Sequence, residues 1–217
     1  MSELEQRQQL IQASLDLIRS GLTQGTSGNL SVRTETGMLI TPSGVPYATL
    51  LPRDIVPVRP DGSHDHPLNP SSEWQLHRDI YGARPEVQAI VHAHPTFSTA
   101  LATCHLPIPP FHYMVAVAGG ADIRCADYAT FGTPELSAAT LAALTDRKAC
   151  LLANHGMVAI GESLARAMWL AVEVETLARQ YLLALQIGGP RLLSADHIAR
   201  VMEKFQSYGL QPTDPAC

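Results

Sequence analysis

The sequence predicts an α/β fold in which a mixed β-sheet carries helices on both faces. Short apolar runs, typical of buried strands, are interleaved with segments whose apolar residues recur at helical spacing. Several strand segments follow one another without an intervening helix, which favours a mixed sheet over a regular doubly wound parallel sheet. No repeat, linker or low-complexity tract divides the 217 residues. Residues 1–217 are therefore predicted to form one domain, which is long enough to bury a sizeable core.

Local signals mark the ends of most predicted helices. Ser2 followed by Glu5 has the form of a capping box, and Gly21 marks the end of the first helix. Thr133 before Pro134 opens a later helix, and Ser194 caps the final one. The predicted helices cover residues 4–22, a segment from Ser71 or Ser72 through Tyr81, residues 96–104, a segment from Thr133, residues 163–185, and a segment from Ser194.

Apolar and β-branched runs between turn residues predict the strands. The predicted strands cover residues 30–33, 38–41, 55–58, 87–94, 114–118, 149–154 and 157–160. The last two are expected to pair as a hairpin interrupted at His155-Gly156. Residues 59–70 are rich in Pro, Asp, Gly and His, so we expect a surface loop there.

Composition excludes several classes of function. The net charge is −5, and no basic run is present, which argues against a nucleic-acid partner. The polar N-terminus lacks the apolar core of a signal peptide, and charged residues interrupt the apolar segment 168–187, so no membrane association is expected. Four cysteines without CxxC spacing indicate a reduced, cytoplasmic setting.

The most informative residues are three histidines and a glutamate. His92 and His94 end an apolar run, and residues two apart on a strand point to the same face. His155 ends a second apolar run, and Glu73 follows a turn-rich segment. Any one of these histidines can instead satisfy a hydrogen bond near the core. Together, three imidazoles and a carboxylate predict a catalytic zinc site that supports acid–base chemistry.

Residues around this group carry secondary predictions. Gly156 follows His155 and can adopt an unusual backbone angle that aims the imidazole. His77 lies one turn after Glu73, either on the helix surface or behind the site. Small polar turns at 28–29, 43–44 and 71–72 are either ordinary turn and cap chemistry or parts of one phosphate site.

Eight segments in order resemble the class II aldolase/adducin-head family, and within it the L-fuculose-1-phosphate aldolase type. The matching segments are 24–29, 39–44, 70–74, 92–94, 112–114, 128–133, 154–156 and 208–210. The resemblance covers nearly the whole chain. It implies a three-layer α/β/α fold with a mixed, mainly antiparallel central sheet, and a homotetramer with active sites between subunits.

The resemblance also implies roles for individual residues. His92, His94 and His155 are similar to the family's zinc ligands, and Glu73 to its catalytic acid/base, which also binds zinc when substrate is absent. Tyr113 resembles a tyrosine that reaches a neighbouring subunit's site and handles the proton on the aldehyde side. The implied phosphate pocket comprises Asn29, Ser43, Gly44, Ser71 and Ser72, with Thr26 and Gly28 close by. The residues implied to close over the substrate are Phe131 and Tyr208.

The implied reaction is zinc-dependent retro-aldol cleavage of a ketose or deoxyketose 1-phosphate to dihydroxyacetone phosphate and an aldehyde. Candidate substrates are L-fuculose 1-phosphate, 5-deoxyribulose 1-phosphate and 5-methylthioribulose 1-phosphate. The sequence departs from the fuculose enzyme's pattern at Pro95, Thr96, Phe97 and Asn154, so the identity of the aldehyde product is not predicted. The alternative within the family is a pentulose-5-phosphate 4-epimerase, a decarboxylase or a dehydratase, and the alternative outside enzymes is a binding or scaffold module. A glutamate at 73, where the epimerases carry Asp, favours cleavage, and all three histidines argue against a scaffold.

Overall fold

The centre of the fold is a mixed sheet, which the computed structural model describes within residues 2–207. Its seven strands are β1 Asn29–Thr34, β2 Gly37–Ile40, β3 Val56–Val58, β4 Ala89–Ala93, β5 Cys125–Ala126, β6 Ala149–Leu152 and β7 Gly156–Gly161. They lie in the order β3-β2-β1-β4-β7-β6-β5. Every neighbouring pair is antiparallel except β5 and β6, which are parallel. The predicted mixed, mainly antiparallel sheet is confirmed, including the hairpin of β6 and β7.

Six α-helices accompany the sheet within the same residues. They are α1 Glu3–Arg19, α2 Trp74–Ala83, α3 Thr96–Thr103, α4 Pro134–Ala143, α5 Leu164–Gln186 and α6 Ala195–Ser207. Ser2 forms both hydrogen bonds of the predicted capping box with Glu5. The side chain of Thr133 accepts a hydrogen bond at the start of α4, and that of Ser194 accepts one from the His197 N–H. The predicted helix starts at Ser2, Thr133 and Ser194 are confirmed.

The two faces of the sheet bury two separate apolar cores. On one face α1, α3 and α5 contribute residues such as Leu17, Leu101 and Val174. On the other face α2 and α4 contribute residues such as Ile80 and Leu136. Successive strand residues alternate between the two cores, as a sheet covered on both sides requires. This arrangement gives the three-layer α/β/α architecture that the resemblance implies.

The strand predicted at 114–118 is wrong, because residues Tyr113–Ala118 form a 3-10 helical turn. The His112 side chain accepts a hydrogen bond from the Met114 N–H at its start. Gly119 ends the turn with φ +93°, which favours glycine. A short apolar run cannot by its periodicity be assigned to strand or helix, and here local hydrogen bonds decide the outcome.

Two predicted helix limits also differ from the structure. The helix predicted from Ser71 or Ser72 begins at Trp74, because the Trp74 N–H donates to the Ser71 carbonyl in a preceding turn. Glu73 is the residue before that helix, and its side chain makes no capping hydrogen bond. The first helix ends at Arg19 rather than near residue 22, and the predicted stop at Gly21 is confirmed, because this glycine follows the C-cap Ser20 with φ +72°.

None of the helices that the structure describes combines the length and apolarity needed to cross a bilayer.

Candidate metal centre

Three neighbouring strands bring the predicted ligands to one end of the sheet. β1 begins at Asn29, β4 ends one residue after His92, and β7 begins one residue after His155. The register pairs Asn29 with His92, and His92 with Val158. Because these neighbours are antiparallel, the start of β1, the end of β4 and the start of β7 meet at one edge. Glu73 is placed there by the turn that precedes α2.

The four side chains converge on one point. His92 Nε2 lies 2.9 Å from His94 Nε2 and 3.0 Å from Glu73 Oε2. His155 Nε2 lies 3.4 Å from Glu73 Oε1. One ligand atom from each of the four residues lies within 4.8 Å of all the others. The side chains that the sequence places on separate segments therefore share one small volume.

This donor set fits a divalent cation. Ligands bound at 2.0–2.1 Å in a tetrahedral site are about 3.3 Å apart, close to the spacings found here. His92 Nδ1 lies 2.9 Å from the Met157 carbonyl oxygen, to which Nδ1–H donates, so Nε2 is the ring atom that would bind a metal once its proton is displaced. Glu73 Oε1 is buried and has no hydrogen-bond partner within residues 2–207. A buried carboxylate oxygen of this kind needs a compensating partner, and a cation supplies one.

Burial and the charges of the four groups shift their pKa values in different directions. Burial raises the pKa of Glu73, but the imidazoles of His92 and His155 outweigh it and hold that pKa below its ordinary value. Burial lowers the pKa of His92, and the Glu73 carboxylate outweighs it, so the pKa of His92 is raised. Burial and His92 lower the pKa of His94 to about 3 and that of His155 to about 4. His94 and His155 are thus neutral near pH 7, as metal ligands must be.

Close packing, rather than an unusual backbone angle, accounts for Gly156. Its φ is not positive, and the left-handed residue is Asn154, with φ +53°. A Cβ at position 156 would collide with the Ala93 carbonyl oxygen and would lie 2.6 Å from His94 Cδ2. The prediction that Gly156 aims the imidazole through its backbone angle is therefore wrong. Glycine is needed because β7 begins against the residues that end β4.

Glu175 is a supporting residue that the sequence analysis missed. Its carboxylate accepts hydrogen bonds from the N–H groups of Phe97 and Ser98 and from the Ser98 hydroxyl, each at 2.8 Å. Pro95 occupies the N-cap of α3 and offers no side-chain cap. The glutamate of α5 therefore supplies the missing acceptors and fixes the turn that follows His94. The sequence signal was a predicted helix with no capping residue at its start. It did not reveal Glu175, which lies 77–78 residues along the chain from the N–H groups that it caps.

The phosphate-pocket residues lie on three segments that hydrogen bonds join together. Thr41 bonds to Leu30 through its backbone and its side chain, the Ser43 N–H donates to the Asn69 carbonyl, and the Ser71 N–H donates to the Thr41 carbonyl. Thr26, Ser43, Gly44 and Ser72 are exposed, Gly28 is half-buried, and Asn29 and Ser71 are buried. The N–H groups of Ser43 and Ser71 are already committed to backbone carbonyls, which leaves their hydroxyls and the other pocket residues to donate to an anion.

The predicted aromatic site residues have separate surroundings. Tyr113 is 50% exposed, and its ring packs 4.8 Å from that of His112 and 6.4 Å from that of Phe205 in α6. Phe131 is 62% exposed on a loop whose next residue, Gly132, lies close to the Ser72 carbonyl. Tyr208 lies outside the described residues. Neither of the two described rings is fixed inside the chain's own core.

Comparison with known proteins assigns the chain to a family. Residues 8–182 match the pattern described as the Class II Aldolase and Adducin N-terminal domain. The chain therefore belongs to this family, as the ordered motifs indicated.

Several relatives are similar over almost the whole chain. A 5-methylthioribulose-1-phosphate/5-deoxyribulose-1-phosphate aldolase of Rhodospirillum rubrum is 55% identical, over 96% of this chain and 94% of that one. An L-fuculose phosphate aldolase of Escherichia coli (strain K12) is 49% identical, over 94% and 95% respectively. A solved structure of an L-fuculose 1-phosphate aldolase superposes with a TM-score of 0.90 at 41% identity, covering 93% of this chain and 96% of that one.

Proposed function

We propose that this protein is a class II aldolase, a metal-dependent lyase that cleaves a ketose 1-phosphate to dihydroxyacetone phosphate and an aldehyde. The observation that carries the proposal is the convergence of Glu73 with His92, His94 and His155 within 4.8 Å. The relatives named as aldolases support the reaction class.

The metal in this proposal is one zinc ion per subunit, held by the three histidines and, without substrate, by Glu73. Three neutral imidazoles and a carboxylate, with no thiolate, are typical of catalytic rather than structural zinc. When bound, a divalent ion supplies a Lewis acid that stabilises negative charge on the ketose oxygens during cleavage.

Glu73 is the proposed acid/base. In the retro-aldol direction the proton of the C4 hydroxyl passes to water by way of Tyr113 of a neighbouring subunit, the C3–C4 bond breaks as the C4 aldehyde forms, and the electron pair passes to the C2–C3 unit. Glu73, which has taken up one proton from water, then gives it to C3, which yields dihydroxyacetone phosphate and the ionised carboxylate. The Asn29 amide holds Glu73 Oε2 at 3.0 Å, so the carboxylate is oriented before substrate arrives.

The substrate phosphate is proposed to bind where the three polar turns meet. Hydroxyls of Thr26, Ser43, Ser71 and Ser72, with Gly28, Asn29 and Gly44, form this pocket in the proposal. Its support is the set of hydrogen bonds that joins segments 28–30, 41–43 and 69–71. The start of α2 adds a favourable helix dipole.

The active form is proposed to be a cytoplasmic homotetramer with sites between subunits. Tyr113 of a neighbouring subunit handles the proton on the aldehyde side, and Phe131 and Tyr208 close over the substrate. Two features support assembly: Tyr113 is half exposed, and apolar residues after α5 are open, with Ile187 88% and Leu192 58% exposed. Free thiols at Cys104, Cys125 and Cys150 agree with a reducing compartment.

A panel of substrates tests the proposed function. Zinc-loaded protein is incubated with the 1-phosphates of L-fuculose, 5-deoxyribulose and 5-methylthioribulose, and dihydroxyacetone phosphate is measured with a coupled reductase. We expect cleavage of at least one, and the ratio of kcat/KM values identifies the preferred aldehyde. Absence of triose phosphate from every ketose 1-phosphate, together with epimer formation from a pentulose 5-phosphate, would overturn the proposal in favour of an epimerase.

A further inference from the structure

We propose that His77 is a positioning residue for Glu73: it fixes the amide of Asn29 in the one orientation that donates a hydrogen bond to the carboxylate. The inference rests on the proposed role of Glu73 in proton transfer. The sequence predicts His77 either on the helix surface or behind the site. The surface alternative is wrong, because the structure buries His77 completely.

A continuous chain of hydrogen bonds leads from Glu73 into the core. Asn29 Nδ2 lies 3.0 Å from Glu73 Oε2, and Asn29 Oδ1 lies 2.6 Å from His77 Nε2. His77 Nδ1 lies 2.7 Å from Ser31 Oγ, which lies 2.8 Å from Tyr81 Oη. All five side chains are buried. Each of these contacts is therefore made without competition from bulk water.

Only one arrangement of protons satisfies this chain. The ionised carboxylate of Glu73 accepts only, so the Asn29 NH₂ group must face it and the Asn29 carbonyl must face His77. His77 then carries its proton on Nε2 and donates it to that carbonyl. Its Nδ1 must accept, so the Ser31 hydroxyl donates to it, and the Tyr81 hydroxyl donates to Ser31. Burial lowers the pKa of His77 to about 3, which agrees with a neutral ring.

The same geometry shows why the tautomer of His77 matters. With the proton on Nδ1, the lone pair of Nε2 would face the lone pairs of Asn29 Oδ1 at 2.6 Å. Relief would require the amide to flip, which would turn its oxygen toward the Glu73 carboxylate. The Ser31 hydroxyl can rotate to serve either tautomer, so the Asn29 carbonyl is the group that selects Nε2–H. His77 thus sets which end of the Asn29 amide meets Glu73.

The chain does not conduct protons to Glu73, because the amide of Asn29 interrupts it. Its effect is to hold an N–H group on Oε2. The other oxygen, Oε1, has no hydrogen-bond partner within the described residues and faces His155. The two oxygens are therefore made different: Oε2 is held, and Oε1 can exchange a proton once substrate replaces Glu73 on the metal. A catalytic carboxylate held in this way needs no reorientation before proton transfer.

Two substitutions distinguish a positioning role of the His77 side chain from a role in packing alone. In His77→Gln the side-chain amide nitrogen reaches the place of Nε2 and donates to Asn29, whereas His77→Leu fills the space without a donor. The metal-loaded variants are compared for cleavage and for exchange of the C3 hydrogen of dihydroxyacetone phosphate with deuterated water. Exchange reports the proton transfer by Glu73 without the aldehyde. Zinc content and melting temperature are measured on the same samples.

We expect His77→Leu to lower kcat and the exchange rate by about 10- to 100-fold, because the Asn29 amide is then no longer held in its hydrogen bond to the charged Glu73 carboxylate. KM and zinc content should stay near those of the wild type, and His77→Gln should recover both rates to within about threefold. Equal rates for His77→Leu and the wild type, equal losses for the Leu and Gln variants, or a change confined to KM would overturn the proposal.

A spectroscopic measurement keeps the proposal testable if His77→Leu fails to fold or the wild type cleaves no ketose 1-phosphate. Nitrogen-15 NMR of the unsubstituted protein should show His77 protonated on Nε2 and unprotonated on Nδ1. In Ser31→Ala the Nε2-protonated form should persist, because the Asn29 carbonyl at 2.6 Å still accepts that proton. Protonation on Nδ1 in the wild type would refute the inference. Failure of every aldolase assay alongside the Nε2 tautomer would refute the proposed function but not the arrangement of the amide.

Discussion

Among single residues, Glu73 has two proposed roles, metal binding and proton transfer. Its Oε2 is held by Asn29 and approached by His92, while Oε1 faces His155 without a hydrogen bond within the described residues. His92, His94 and His155 form a complete set of three nitrogen ligands without it. Removal of its charge should therefore separate metal binding from turnover.

We predict that Glu73→Gln keeps close to the wild-type content of zinc but loses about 10²- to 10⁴-fold in kcat, because an amide cannot exchange the proton. Metal analysis and the coupled assay on the same preparation measure the two quantities. Unchanged kcat would contradict the assigned role, and loss of zinc in step with activity would make Glu73 an essential ligand instead.

The buried His77 also predicts a dependence of stability on pH. Its pKa is about 3 in the folded protein and near 6.5 in an unfolded chain. Between these values the unfolded state binds a proton that the folded state does not, so the free energy of unfolding falls as pH falls below 6.5. From pH 7 to pH 5 this one group should remove about 2 kcal/mol.

Urea unfolding of the protein in EDTA, at several pH values, measures this effect. His77→Gln should show a shallower fall in the free energy of unfolding than the wild type, while His94 and His155 still contribute in both. Parallel curves for the two proteins would show that His77 is not held neutral.

Among the elements, β4 and β7 position the candidate ligands through how closely they meet. Residues Ala93 and His94 leave no space for a side chain at Gly156, whose Cβ would collide with the Ala93 carbonyl. The pairing of β4 with β7 therefore aligns His92 and His94 with His155. Any group added at position 156 must push these strands apart.

We predict that Gly156→Ala lowers the free energy of unfolding by about 1–3 kcal/mol, as overpacking in a tight core does, and weakens zinc binding. Gly82→Ala is the matched control, since a Cβ at Gly82 meets nothing within 4 Å and its φ is not positive. The control should be neutral or slightly stabilising, because alanine is the better helix former. Zinc titration and denaturant unfolding of both variants test the claim, and equal behaviour would contradict it.

Periodicity and capping predicted most elements and the convergence of the three histidines. The two-residue spacing of His92 and His94 at a strand end predicted that both imidazoles share one face, and their role as metal ligands stays a prediction. The contacts of Glu73 with Asn29 and of Asn29 with His77 join residues 44 and 48 positions apart, which no local pattern reveals. The turn at 113–118 was misassigned because short apolar runs have no decisive period. The roles of the phosphate-pocket residues and of Tyr113, Phe131 and Tyr208 stay predictions.

For the whole molecule, we expect a neighbouring subunit to complete the active site. The structure of one chain does not test this expectation. Tyr113 is half exposed and packs against α6 through Phe205, and the apolar residues after α5 are uncovered. An organisation of residues 1–217 as one domain stays a prediction, as does the tetramer. The particle mass should be about four times the 23.4 kDa chain mass, as for a closed symmetric tetramer.

Complementation between two inactive variants tests whether Tyr113 serves a neighbouring site. Glu73→Gln subunits keep Tyr113, and Tyr113→Phe subunits keep Glu73. After the two are unfolded and refolded together, roughly a quarter of the sites in randomly mixed tetramers combine both intact residues. Activity should then exceed that of either variant alone. If Tyr113 acts within its own subunit, mixing will restore nothing.

Anomalous X-ray diffraction at the zinc absorption edge, on crystals of the protein purified with zinc and without chelator, shows where the metal is bound. We expect one strong peak per chain, within about 2.0–2.2 Å of the Nε2 atoms of His92, His94 and His155. Full aldolase activity in a protein whose peak lies elsewhere, or that shows no peak between these imidazoles, would contradict the proposed zinc site.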